Sequence, residues 1–125
     1  LHVEVTPVVF GELTPKQPTE KSTDIRRRVI AARAIQAQRF STSPRIHSNA
    51  QMSPKQVREV CAIDEAGHVL LKTAMERLGL SARAYDRILR VARTIADMEA
   101  STPIKTEHLA EAIQFRSLDR ESWRI

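Results

Sequence analysis

A cation stands in this sequence where helix electrostatics favours an anion. Arg83 falls two residues after Ser81, at the head of a stretch that reads as a helix over 82–97. The first turn of a helix offers free N–H groups and the positive end of the dipole. An arginine placed there adds forked donors, and phosphate chemistry answers both features. A solvated arginine satisfies the same pattern. Arg87, one turn on, is the second choice. A separate basic group precedes these residues: Arg26, Arg27, Arg28, Arg33 and Arg39, with Arg45 beyond. Between residues 22 and 48 they are opposed by Asp24 alone, so the formal +5 of the whole chain resides there. Such a patch can meet the phosphates of a nucleotide or a nucleic acid, or simply form a solvated face.

Other chemistries find no support. Cys61 is the one cysteine, which rules out an internal disulfide and suits a reducing compartment. His2, His47, His68 and His108 lie at no metal-ligand spacing and read as surface or boundary residues; no metal site and no catalytic residue is expected. No serine sits in a nucleophile elbow. No GxxxxGK[ST] loop and no strand ending in paired acids occurs, so the chain itself should not hydrolyse ATP. No apolar run approaches the length of a membrane span and no secretory signal opens the chain, so no membrane partner and a cytoplasmic location are expected. The first residue is Leu1 rather than methionine, as in a processed chain or a piece of a longer one.

The elements follow from periodicity and caps. An aromatic share of 4% and three glycines argue against a turn-rich β fold. Leu1–Val5 alternates like a short strand, which cannot stand alone. Residues 6–20, with Pro7, Pro15 and Pro18, read as a loop whose apolar Val8, Val9 and Phe10 need cover. A first helix, capped by Ser22 or Thr23, runs to about Phe40, with Ile25, Val29, Ala32 and Gln36 as its packing stripe. Ser53, Pro54 and Gln56 spell a capping box with proline at the first helical position, and Met52 with Val57 adds a staple; this helix ends near Cys61. The next starts at about Asp64, with Ile63, Gly67, Leu70, Ala74 and Leu78 on its stripe. It closes on Gly79 with Leu80 following. In the helix over 82–97, Tyr85, Ile88, Leu89, Ala92, Ile95 and Ala96 share one face, with Arg83, Arg87, Arg90 and Asp97 opposite. Thr106 caps a last helix with Leu109, Ala112, Ile113 and Leu118 as its apolar positions, and Trp123 lies in the polar end that follows. The sum is an all-α fold, a small bundle of about four to five helices, preceded by an orphan strand and a mobile loop.

The runs "LGLSARAYDRILRVARTIADMEAS" and "IKTEHLAEAIQFRSLDR", with "LHVEV" and "STDIRRRVIAARAIQAQRF" before them, resemble the C-terminal region of magnesium-chelatase-like AAA+ ATPases, nearest to the competence-associated, ComM-type branch. The resemblance implies a helical lid over residues 21–120, preceded by the end of the AAA+ core in 1–20 and followed by a tail in 121–125. It also implies that Arg83 is the sensor 2 arginine, with Arg87 as runner-up. The full-length parent would use ATP and magnesium, neither of which this chain should hold alone. Its partners would be the AAA+ core and neighbouring subunits of a ring, with DNA as the substrate of a remodelling motor. Two other readings stand beside this one: a stand-alone nucleic-acid-binding helical module, and the lid of a true magnesium chelatase subunit.

Overall fold

The computed structural model describes residues 1–3 and 19–116. Five α-helices follow in order: α1 (Ser22–Arg39), α2 (Pro54–Val60), α3 (Glu65–Leu78), α4 (Ala82–Met98) and α5 (Thr106–Gln114), with a 3-10 turn at Asn49–Gln51 before α2. Among the described residues there is no strand, and the fold is the expected small helical bundle. Of the expected strand, residues 1–3 carry no sheet pairing, and the His2 N–H donates to the Phe115 carbonyl at 2.8 Å. Glu4, Val5, the loop segment with Val8, Val9 and Phe10, and the C-terminal Leu118 and Trp123 lie outside the described residues.

Local sequence explains where the helices begin and end. The Ser53 Oγ accepts from the Gln56 N–H, and the Gln56 Oε1 accepts from the Ser53 N–H at 2.9 Å, so the capping box closes in both directions. The Asp64 carboxylate accepts from the Gly67 N–H at 2.8 Å, and the Ser81 hydroxyl accepts from the Ala84 N–H. Gly79 ends α3 in the left-handed conformation at φ 62°, and the Leu80 N–H returns to the Met75 carbonyl. Two caps differ from expectation. Lys21 precedes α1 without a side-chain cap, because the helix already includes Ser22 and Thr23. Lys105, not Thr106, holds the cap position of α5, and His108 takes over the capping role by accepting the Lys105 N–H on Nδ1 at 2.9 Å.

Helix α4 is central and packs on α5, α1, α2 and the 3-10 turn, while α3 packs on α5. Its inward face is the expected one: Ile88, Leu89, Ala92 and Ala96 are buried, with Tyr85 and Ile95 half-buried beside them. They meet Leu71 of α3, Leu109 and Ala112 of α5, and Met52, Val57 and Phe40 from the N-terminal side. Burial of these apolar side chains is the main driving force, about 1.5–3 kcal/mol for each large one. Gly67 permits the close approach of α3 to α5: a Cβ there would stand 3.0 Å from the Leu109 Cδ1. Helix α1 departs from its predicted stripe. Only Ala32 and Gln36 are buried, while Ile25, Val29 and Ile30 are 44–54% exposed, because just the C-terminal half of α1 reaches the bundle.

The end of α4 repeats the closing geometry of α3 with a less suitable residue. Ala100 takes φ 54°, the Ser101 N–H donates to the Ala96 carbonyl at 2.8 Å, and the Ala100 N–H donates to the Asp97 carbonyl at 3.0 Å. A Cβ in the left-handed region costs roughly 1–2 kcal/mol. Ala100→Gly should therefore stabilise the chain by about 1 kcal/mol in urea unfolding, and Gly79→Ala should destabilise it by a similar amount. A neutral Ala100→Gly would show that the strain is not stored there.

Candidate functional site

Two arginine sites emerge, one exposed and one buried. Arg83 lies in the first turn of α4, solvent-exposed, two residues after the Ser81 cap. Among the described residues it forms no salt bridge. Arg87 is also exposed, one turn further along the same side. It lines a cleft of about 340 Å³ with Leu1, Ala50, Arg90, Val91 and Arg116. Arg90 is half-buried; its Nη2 donates to the Met52 carbonyl at 2.9 Å, and its buried Nε has no partner among the described residues.

The arginines of α1 separate into two kinds. Arg26, Arg27 and Arg28 are exposed on its projecting half, and Arg33 is exposed beside the buried Ala32. Arg27 lies 4.0 Å from Asp24, and Arg28 forms a two-pronged ion pair with Glu20, one contact being 3.1 Å. Arg39 instead turns into the bundle. It holds Asp97 with both nitrogens of its fork, at 2.9 and 2.6 Å, and donates to the Asn49 Oδ1 at 3.0 Å. Its guanidinium is thus occupied on one edge by protein.

Asp97 was expected on the solvent side of α4 and is instead 2% exposed. Arg93, four residues before it and 4% exposed, donates from Nε to Asp97 at 3.1 Å, and its other nitrogens reach the Thr102 and Ser101 carbonyls at 2.7 and 2.5 Å. The Asn49 amide donates to Asp97 at 2.9 Å and to the Thr94 hydroxyl at 3.1 Å, while the Asn49 N–H donates to the Gln36 Oε1. Two guanidiniums, an amide and a carboxylate thereby join α1, the 3-10 turn, α4 and the loop after it. Burial pushes the Asp97 carboxyl up, but hydrogen bonds from Arg39 and Asn49 and the two guanidinium charges outweigh it and hold the group below its ordinary value. Its hydrogen bond to Asp97 raises Arg39 in turn, against burial.

Two further polar groups belong to structure. His108, expected near the surface, is 1% exposed. Because its Nδ1 accepts the Lys105 N–H, the ring proton sits on Nε2, which donates to the Glu99 carboxylate at 2.7 Å. Glu99, Glu107 and His108 bring ligand atoms within 4.8 Å of one another, but both imidazole nitrogens are committed to hydrogen bonds. Cys61 is 2% exposed, and burial pushes its thiol up to about 11, against the pull of Arg93 and Arg39. Sequence reasoning overlooked the buried polar cluster because Asp97 falls on the face of α4 opposite the apolar stripe, where periodicity predicts solvent. The available signal was the i, i+4 spacing of Arg93 and Asp97 with opposite charge.

Two outcomes follow from this geometry. Removing the Asp97 charge leaves two guanidiniums facing each other at low solvent access, so Asp97→Asn should cost about 3–5 kcal/mol in urea unfolding. The Asp97 contribution is complete above the unfolded carboxyl value of about 3.9 and disappears as pH falls through the lower folded value. The wild-type chain should therefore lose stability steadily below about pH 4, and Asp97→Asn should lose less over the same range. Equal acid slopes would contradict the ion-pair account. Cys61 should resist iodoacetamide at pH 8 in the folded chain and react in urea; rapid labelling of the folded chain would contradict its burial.

Comparison with known proteins places this bundle. Residues 19–116 match the family described as magnesium chelatase, subunit ChlI C-terminal. The protein YifB of Escherichia coli is 38% identical over 103 residues, covering 82% of this chain and 19% of that protein. Competence protein ComM of Haemophilus influenzae is 38% identical over 101 residues, covering 81% and 19%. A Mycobacterium bovis protein is 35% identical over 97 residues, covering 78% and 19%. The chain thus spans about a fifth of the length of these relatives. The matched region opens just before α1 and closes just after α5, so the five-helix bundle is the shared unit, and the chain belongs to the magnesium chelatase ChlI C-terminal family.

Proposed function

We propose that the bundle is the helical lid of a magnesium-chelatase-like AAA+ ATPase, that Arg83 senses nucleotide as its sensor 2 arginine, and that the parent is a DNA-remodelling motor. The observation that carries the reading is the state of Arg83. It is exposed at the start of the central helix, and no acidic side chain among the described residues pairs with it. A cation there opposes the helix dipole with no local ion pair to offset it, as expected when its counter-charge comes from another body. Phosphate suits that role, since a guanidinium fork and the N–H groups of the first turn present donors in the same direction.

The chain would supply only the lid's share of such a site. ATP and magnesium would need a phosphate cradle and acidic ligands, which no stretch of these residues provides. Bound ATP would bring the phosphoryl group and its charge. Arg83, with Arg87 as the next donor, would hold that charge from the lid side. Because α4 is packed on α1, α2 and α5, a displacement at Arg83 would move the bundle with it. The partners on this reading are the AAA+ core and neighbouring subunits of a ring. The DNA part rests on similarity to a competence protein.

The exposed Arg26, Arg27, Arg28 and Arg33 favour a second reading, an independent nucleic-acid-binding module. Against it, Glu20 and Asp24 stand beside two of them, and Arg39 is committed to Asp97. The lid of a true chelatase subunit is the third reading; its partner would be a protein of a tetrapyrrole enzyme.

In the full-length parent, Arg83→Ala should lower ATP hydrolysis about 10–100-fold, the value of one charge-assisted hydrogen bond of about 1.5–3 kcal/mol, with an unchanged thermal melt. Unchanged hydrolysis would remove the sensor assignment. The present chain should bind duplex or single-stranded DNA weakly at physiological salt. Tight binding with a steep salt slope, about 0.9 log units per phosphate neutralised on duplex DNA, would favour the independent module.

A further inference from the structure

The buried ion cluster opens on one side into a cleft of about 480 Å³ between α1, the end of α2 and the loop after α4. Arg39, Arg93 and Asp97 form its polar lining, Ile35 and Val60 give it apolar walls, and Ala100, Ser101 and Thr102 form a lip. We propose that this cleft is a docking site for a carboxylate carried on an aliphatic stem, a glutamate side chain of a partner polypeptide segment. The inference does not depend on the nucleotide reading of Arg83, which lies near the opposite end of α4.

Charge and donor counts carry the argument. Two guanidiniums face one carboxylate, and no other ionisable residue among the described residues lines the cleft, so a single positive charge is left over. Each guanidinium has five N–H donors. Arg39 uses three of them, on Asp97 and Asn49, which leaves its Nε–H and one Nη2 hydrogen without an acceptor among the described residues. The Arg39 side chain is 19% exposed, whereas those of Arg93 and Asp97 are 5% and 0% exposed, so the residual charge reaches the surface through Arg39. A guanidinium edge presenting two donors matches a carboxylate.

The size of the charge selects the ligand class. One carboxylate brings the cluster to neutrality. A phosphate dianion would overshoot and set its oxygens near the Asp97 carboxylate and the Ser101 and Thr102 carbonyls already aimed at Arg93. Ile35 and Val60, both half-buried, offer aliphatic contact that a methylene stem can use and a bare inorganic anion cannot.

The test is an NMR titration of the ¹⁵N-labelled chain, at constant ionic strength, with N-acetyl-glutamate α-amide, its glutamine counterpart and inorganic phosphate. The glutamate probe should shift the Arg39 Nε–H signal and the Ala100, Ser101 and Thr102 amides saturably. The glutamine probe and phosphate should bind about tenfold more weakly or worse, as expected when one charge-assisted pairing is lost. Val60→Glu and, separately, Ile35→Glu place a carboxylate on the cleft wall; whichever is folded should block the probe and raise the melting temperature. The proposal is overturned if the glutamate probe gives no saturable shift, if glutamine matches it, if phosphate binds more tightly, or if folded Val60→Glu or Ile35→Glu binds the probe like wild type.

Discussion

Asp97 is the constraint on which the rest of the bundle depends. It is fully buried, and a buried carboxylate is tolerated only when its charge is met and its lone pairs are filled. Here the donors come from three places in the chain: Arg39 at the end of α1, Asn49 in the 3-10 turn, and Arg93 one turn back on α4. The apolar core can hold α3, α4 and α5 together through Leu71, Ile88, Leu89 and Leu109. It has far less grip on α1, whose buried residues are Ala32 and Gln36. The ion cluster and Phe40 therefore determine where α1 meets the bundle, and polar geometry supplies the specificity that a contact this small and weakly apolar lacks.

The same division explains what was legible in the sequence. Caps are local, and each depends on two or three residues within one turn. Ser53 with Gln56, Ser81, and Gly79 with Leu80 are thus legible from the residues alone, whereas for Asp64 the residues mark only the approximate start of α3. The packing face of α4 was equally accessible, because a strong 3.6-residue pattern needs no partner to be seen. Periodicity fails on the face opposite the stripe. There Asp97 and Arg90 look alike on a helical projection, yet one is sealed and the other half-open. What separates them is Arg39, fifty-eight residues away in sequence, and no local rule reaches that far. His108 escaped for a similar reason: its ring caps a helix start through Lys105 and is covered by the chain folding over it.

Helix α1 shows the opposite failure. Ile25 and Val29 continue the stripe of Ala32 and Gln36, so the pattern implied packing along the whole helix. Helix α1 meets the bundle only through its C-terminal half, and its N-terminal half is exposed throughout, with Ile25, Val29, Ile30 and the three arginines Arg26, Arg27 and Arg28. The pattern reports that a surface wants cover but not whether these residues provide it. The candidate site shares this property. Arg83 is a cation in an anion's place, exposed at the head of α4, and neither the pattern nor its exposure says what would meet it.

Placing both features on one helix has a mechanical consequence. Helix α4 has seventeen residues, about 25 Å end to end, with Arg83 in its first turn and Asp97 in its last. Between them lie Ile88, Leu89, Ala92 and Ala96, each at most 4% exposed, so the middle of the helix is sealed against its neighbours and does not move independently of them. A force applied at Arg83 would therefore not be absorbed locally. It would reach the far end, where Asp97 grips Arg39 and hence α1, the element least supported by apolar contact. On the proposed reading, the charge held at one end of α4 and the orientation of the projecting helix at the other are linked by the stiffness of a single packed rod, and the ion cluster is the coupling that makes α1 follow.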